Sequence, residues 1–179
     1  PLHCPQKYLD MYSGQSAKIS AFFGMITNID DNVGATRQFL KELGVADNTL
    51  FIFTTDNGTA TGSEVFNAGM RGKKGSEYDG GHRVPFIAHW PEAGWNTKHE
   101  CDMLCHAVDV VPTVVGLAGG KKPQSLQWDG VSIETFLDPE RKPTVGDRML
   151  VTDSQRIRDP IKWRKTAVMS QQWRLVNGE

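Results

Sequence analysis

Asp56-Asn57-Gly58 stands directly after the apolar run Thr49-Leu50-Phe51-Ile52-Phe53-Thr54-Thr55. A carboxylate beside an amide offers hard oxygen donors, which suit Ca²⁺ or Mg²⁺ better than zinc. The same three residue types also make ordinary turns. What distinguishes them here is the loop downstream, Arg71-Gly72-Lys73-Lys74-Gly75-Ser76-Glu77-Tyr78-Asp79-Gly80-Gly81-His82-Arg83. Two lysines, a histidine and two arginines set among glycines can converge on an oxyanion, with backbone N–H groups as further donors. A solvated basic loop is the alternative reading. The loop lacks the Gly-Lys-Ser/Thr order of a phosphate-binding P-loop. Cys101, Cys105 and His106 form a second cluster, but zinc sites usually need a second ligand pair and none follows. The three cysteines read instead as semi-buried thiols.

The elements that must carry these residues are legible from periodicity. Between about Ala17 and Leu43, the residues Ile19, Phe22, Phe23, Ile26, Ile29, Val33 and Leu40 recur at helical spacing. Asp30, Asp31, Arg37 and Lys41 fall mostly on the other face, and Leu43-Gly44 supplies a stop. The run 49–55 reads as a strand buried on both faces, as in parallel sheets. Helix, loop and buried strand make half of a βαβ unit, so the class is α/β. Seven glycines in residues 56–83 predict irregular backbone there, and long loops in compact domains are usually functional. A second strand is expected over Val84–Trp90, ended by Pro91. Asp109 is placed to cap a helix running from Val110 to Leu117, with Gly119-Gly120 behind it. Strand-like segments close the chain at Arg148–Thr152, Lys165–Ser170 and Gln172–Val176, before the hairpin-turn pair Asn177-Gly178.

Composition limits the function classes. The chain has 179 residues, 39% apolar and 23% charged, enough to bury a core. Lys and Arg number 20 against 21 Asp and Glu, a net charge of −1. That balance argues against a nucleic-acid partner held by a broad basic surface. No apolar run approaches the roughly 18 residues that a membrane span requires. The start, Pro1-Leu2-His3-Cys4-Pro5, has the character of neither an initiator nor a leader peptide.

Several segments together resemble the sulfatase family of the alkaline-phosphatase superfamily. They are Asp30-Asp31-Asn32-Val33-Gly34, the stretch from Leu43 through Gly58, the stretch from Gly72 through Phe86, and Val108-Asp109-Val110-Val111-Pro112-Thr113. Trp163-Arg164-Lys165-Thr166-Ala167-Val168 and Trp173-Arg174-Leu175-Val176-Asn177-Gly178 look like the C-terminal part of many bacterial members. The resemblance runs in consistent order over nearly the whole chain. It implies the C-terminal part of a mixed, mostly parallel α/β domain over 1–120, followed by a small antiparallel-sheet subdomain over 121–179.

Carried over residue by residue, the resemblance implies that Asp56 and Asn57 ligate a divalent cation, usually calcium, with magnesium the second choice. Lys74 matches the catalytic lysine that contacts the sulfate group, and Lys73 is the second candidate. His82 stands where it either touches substrate or packs the loop. Arg83 is expected to tie the loop to Asp79 or Glu77. The family's formylglycine nucleophile arises in a Cys/Ser-x-Pro-x-Arg motif, which none of Cys4, Cys101 and Cys105 occupies. It is therefore expected upstream of the chain. The family's His-x-Pro motif would put its proline at Pro1, with His3 out of register.

The implied activity is hydrolysis of a sulfuric ester, either a small molecule or a sulfated glycan. The alternatives are a phosphoesterase or phosphonate hydrolase of the same superfamily, and a non-catalytic anion- or glycan-binding module. Relatives with Asp-His in place of Asp56-Asn57 favour softer metals, so Asn57 leans toward calcium and sulfate. Trp95, Trp128, Trp163 and Trp173 are candidates to stack on a ring, with Trp163 and Trp173 expected to pack in the small sheet. The resemblance also implies a periplasmic, extracellular or lysosomal location. The chain by itself is expected to be inactive and to self-associate, aggregate or lean on an upstream segment through exposed apolar faces.

Overall fold

The structure, a computed structural model, describes residues 2–178. Pro1, the expected proline of the His-x-Pro motif, lies outside the described residues. A short helix α1 (Gln6–Asp10) packs on the long helix α2 (Ala17–Glu42). They meet where α2 has no side chain. A Cβ on Gly24 would stand 2.7 Å from Cys4 Sγ and 3.2 Å from the Tyr8 carbonyl. Tyr8 then donates to Asp31 at 2.7 Å, and the Tyr12 and Thr27 hydroxyls share a bond at 2.6 Å. The apolar positions read from the sequence are only partly covered: Ile19 is buried, whereas Ile26 is 50% and Ile29 45% exposed.

Leu43 and Gly44 end α2, with Gly44 at φ 71°, where a glycine carries no Cβ penalty. Strand β1 (Phe51–Thr54) follows, then α3 (Asp79–His82) and β2 (Phe86–His89). Among the described residues β1 pairs with β2 alone, and the pairing is antiparallel, Phe51 opposite His89 and Thr54 opposite Phe86. The strand expected to lie buried on both faces is half-buried, with one open edge among those residues. Trp90 and Trp95 close the turn beyond β2 with reciprocal backbone bonds of 3.0 Å and an edge-on ring contact.

Helix α4 (Val110–Leu117) forms over the residues expected, but Asp109 does not cap it. Its carboxylate turns back to accept from His106 N at 2.8 Å, closing a 3₁₀ turn over Ala107–Asp109. Helix α5 (Glu134–Leu137) precedes a three-stranded antiparallel sheet in the order β3 (Leu150–Asp153), β4 (Thr166–Met169), β5 (Arg174–Asn177). Ala167 and Met169 on the central strand are buried. Trp163 and Trp173, expected to pack in this sheet, are instead 55% and 78% exposed.

A buried ion pair ties residues before and after position 120. Asp109 is fully buried and receives both guanidinium arms of Arg148, at 2.7 and 2.5 Å. It also accepts from Val131 N at 3.0 Å, while Arg148 reaches Leu104 O at 3.1 Å. Thr113 donates to Asp109 O and accepts from Ile133 N, extending the network to the apolar cluster of Ile133 and Phe136. Burial pushes the Asp109 carboxyl up, yet the bonds from Arg148, Val131 and His106 together outweigh it and hold it below the usual carboxylate range.

Two predictions follow the packing. Gly34 sits inside α2 with open space around it, so Gly34→Ala should stabilise by about 0.5–1 kcal/mol, while Gly24→Ala lowers the denaturation midpoint. The Asp109 contribution is complete above the unfolded carboxylate value of about 3.9 and is lost as pH falls through the lower folded value. Asp109→Asn should cost about 3–5 kcal/mol at neutral pH and flatten this part of the acid limb in urea titrations.

Candidate active site

The loop after β1 is laced through its backbone to α3 and to the loop that precedes it. Gly58 N donates to Gly81 O at 2.9 Å, and Lys74 N donates to Thr59 O at 2.9 Å. The residues that directly follow Asp56-Asn57 are thereby tied to the segment that carries Lys74 and His82. Such lacing requires contact without side chains. A Cβ on Gly58 would overlap the Gly80 carbonyl, one on Gly80 the Gly72 carbonyl, and one on Gly81 the Ser76 carbonyl. Gly58 thus meets Gly80 and Gly81 across the two segments, while Gly80 and Gly81 also let the second segment close on itself.

The second loop is braced from within. Asn67 donates from one amide nitrogen to Met70 O and Gly72 O, both at 2.8 Å. Ser76 Oγ accepts from Lys73 N and Tyr78 N at 3.3 Å. The Arg71 guanidinium lies 3.7 Å above the centre of the Tyr78 ring. Asp79 pairs with Arg174 at the start of β5, so the expected tie from Arg83 to Asp79 is replaced by one from the small sheet. Sequence spacing carries no signal for a partner so far along the chain, and the same holds for Asp109 and Arg148.

The Asp56 and Asn57 head groups meet, Asn57 Nδ2 on Asp56 Oδ2. One carboxylate and one amide, converging at a strand end and open to solvent, fit a hard dication as part of its shell. Calcium takes about six to eight oxygens, so the remaining donors must come from elsewhere. Among the described residues no group of three His, Cys, Asp or Glu side chains gathers as a metal site. Cys101 and Cys105 are exposed and Cys4 is buried, each a free thiol.

Lys73 and Lys74 are exposed side chains on a fixed backbone. His82 differs: both ring nitrogens are buried without a hydrogen-bond partner among the described residues. Burial, reinforced by the neighbouring His106, lowers its proton affinity. The imidazole is therefore neutral at pH 7, with one N–H and one lone pair to offer.

Comparison with known proteins identifies the family. The family model described as Sulfatase matches residues 1–120. Mouse arylsulfatase J is 33% identical over 150 residues, 81% of this chain and 24% of that protein. Rat N-acetylgalactosamine-6-sulfatase is 31% identical over 137 residues, 73% of this chain and 25% of that protein. The solved structure of Ps i-CgsB in complex with k-i-k-neocarrahexaose superposes with a TM-score of 0.83 at 26% identity, over 99% of this chain and 38% of that one. The chain thus spans about a quarter of the length of these curated relatives.

Gly80→Ala or Gly81→Ala should therefore cost about 2–3 kcal/mol, because backbone rather than a flexible side chain must yield. Chemical denaturation reads this directly, with Gly69→Ala as a comparison at an open positive-φ position. The family model covers residues 1–120 and mouse arylsulfatase J is 33% identical over 81% of the chain, so the chain belongs to the sulfatase family.

Proposed function

We propose that the chain is the C-terminal portion of a sulfuric-ester hydrolase acting on a sulfated glycan. The observation that supports this is the double backbone tie, Gly58 to Gly81 and Thr59 to Lys74, which joins the segment after the hard-donor pair to the segment bearing Lys74. Sulfated sugars are favoured over small aryl esters because the similar proteins include an N-acetylgalactosamine-6-sulfatase and a neocarrahexaose complex.

As the S–O bond breaks, negative charge builds on the bridging oxygen. The Lys74 ammonium, standing on a backbone that does not need to reorganise, stabilises that charge, with Lys73 next in line. Asp56 and Asn57 would hold Ca²⁺, or Mg²⁺ in its place, and the bound ion supplies positive charge beside the sulfate oxygens. Neutral His82 contributes hydrogen bonding and orientation. The nucleophile, a formylglycine, is assigned to residues outside this chain, and the boundary between large and small units to residue 120. The exposed apolar face of α2 would be covered by that remaining portion, and without it the chain self-associates or aggregates. No helix among the described residues is long and apolar enough to cross a membrane. A periplasmic, extracellular or lysosomal setting accords with the family.

The test compares this chain with a longer protein bearing a Cys/Ser-x-Pro-x-Arg segment. The longer protein should hydrolyse sulfate esters, and the 179-residue chain should not. Lys74→Ala should lower kcat by about 10²-fold or more, and Asp56→Ala or chelation with EGTA should abolish turnover, with calcium restoring only the chelated enzyme. Turnover of phosphate or phosphonate esters in preference to sulfate would support the superfamily's other chemistry. Glycan binding without any turnover would make the protein a binding module.

A further inference from the structure

A cavity of about 360 Å³, lined by none of the residues of the paired segments, lies between the 103–104 segment, the 145–148 segment and the turn joining β4 to β5. Ligand cavities begin at about 300 Å³, so this one suits a small cyclic group. Its walls are fixed to one another. Gln171 spends both ends of its amide across the gap, accepting from Leu104 N and donating to Asp102 O, each at 2.8 Å. The turn is closed by Ser170 N on Trp173 O at 2.8 Å and Trp173 N on Ser170 Oγ at 3.2 Å. Trp173 lines the cavity yet is 78% exposed, a large flat ring held on a rigid turn with no core to serve.

Charge narrows the occupant. Arg148 lines the cavity, but its two terminal nitrogens are committed to Asp109. Its Nε is buried with no hydrogen-bond partner among the described residues. Asp147 adds a carboxylate and Gln172 an amide. The neutralised guanidinium and the extra carboxylate disfavour an anionic group, whereas an aromatic face with amide and carboxylate acceptors suits a ring carrying several hydroxyls.

We propose that this cavity is a subsite for an uncharged sugar ring of an oligosaccharide, stacked on Trp173 and hydrogen-bonded by Asp147 and Gln172. The assignment deepens the glycan reading above and rests on it for the link to turnover, but saccharide binding at the cavity is separately measurable.

Saturation-transfer NMR on the complete protein, with neutral hexasaccharides of galactose, N-acetylglucosamine and glucose as probes, reads the cavity without any chemistry. At least one probe should show transfer that is lost in Trp173→Ala and kept in Trp173→Phe. Trp173 is exposed, so neither change disturbs a core. On a sulfated oligosaccharide, Trp173→Ala should raise KM about tenfold with kcat unchanged. Turnover of p-nitrophenyl sulfate should stay within about twofold of the parent. Absence of transfer with all three probes, or equal transfer in Trp173→Ala and the parent, overturns the subsite even where p-nitrophenyl sulfate is hydrolysed. Transfer without hydrolysis of any sulfate ester leaves the subsite standing and removes the hydrolase reading.

Discussion

Everything at the candidate site depends on two loop backbones approaching each other with no side chain between them. Gly58 meets Gly80 and Gly81 across them, while Gly80 meets Gly72 and Gly81 meets Ser76 within the second. Amide–carbonyl bonds form only when the chains come this near, and they leave few degrees of freedom to the residues on either side. Asp56-Asn57 and Lys74 stand on the segments so joined. In the proposed reaction they would act through being presented at fixed positions, which spares reorganisation when charge develops.

The small sheet is part of this arrangement. Arg174 at the start of β5 reaches Asp79 in α3, the same short helix that carries Gly80 and Gly81. A substituent on Gly178 would meet Glu77 in the same loop. Farther off, Asp109 and Arg148 connect the segment ahead of α4 to the entry of β3. A buried carboxylate that accepts from a guanidinium and two backbone amides has most of its lone pairs satisfied, which offsets the large cost of removing it from water. Such a pair specifies one docking geometry, because any slip leaves a charge buried and unpartnered.

Helix α2, the start of α4 and the three closing strands were legible in the sequence, since each rests on periodicity or on glycine punctuation within a few residues. The candidate site residues are legible as types: hard donors after a strand, lysines among glycines. Less readable was whatever depended on distant partners. Strand 51–54 looks like a strand covered on both sides, yet among the described residues its only neighbour is antiparallel β2. Asp109 has the composition of a helix cap, but a guanidinium from far along the chain draws its carboxylate elsewhere. Trp163 and Trp173 have the hydrophobicity of core residues and stand at turns, exposed.

The sequence by itself determined the α/β class, the family resemblance and the identities of Asp56, Asn57 and Lys74, because helical period, turn chemistry and motif order are local properties of the chain. Only the tertiary structure decided that Gly58 and Gly81 touch, that Asp79 answers to Arg174, and that Trp173 edges a cavity. Those facts depend on which surfaces fit when distant segments collapse together, and neither spacing nor composition encodes that fit.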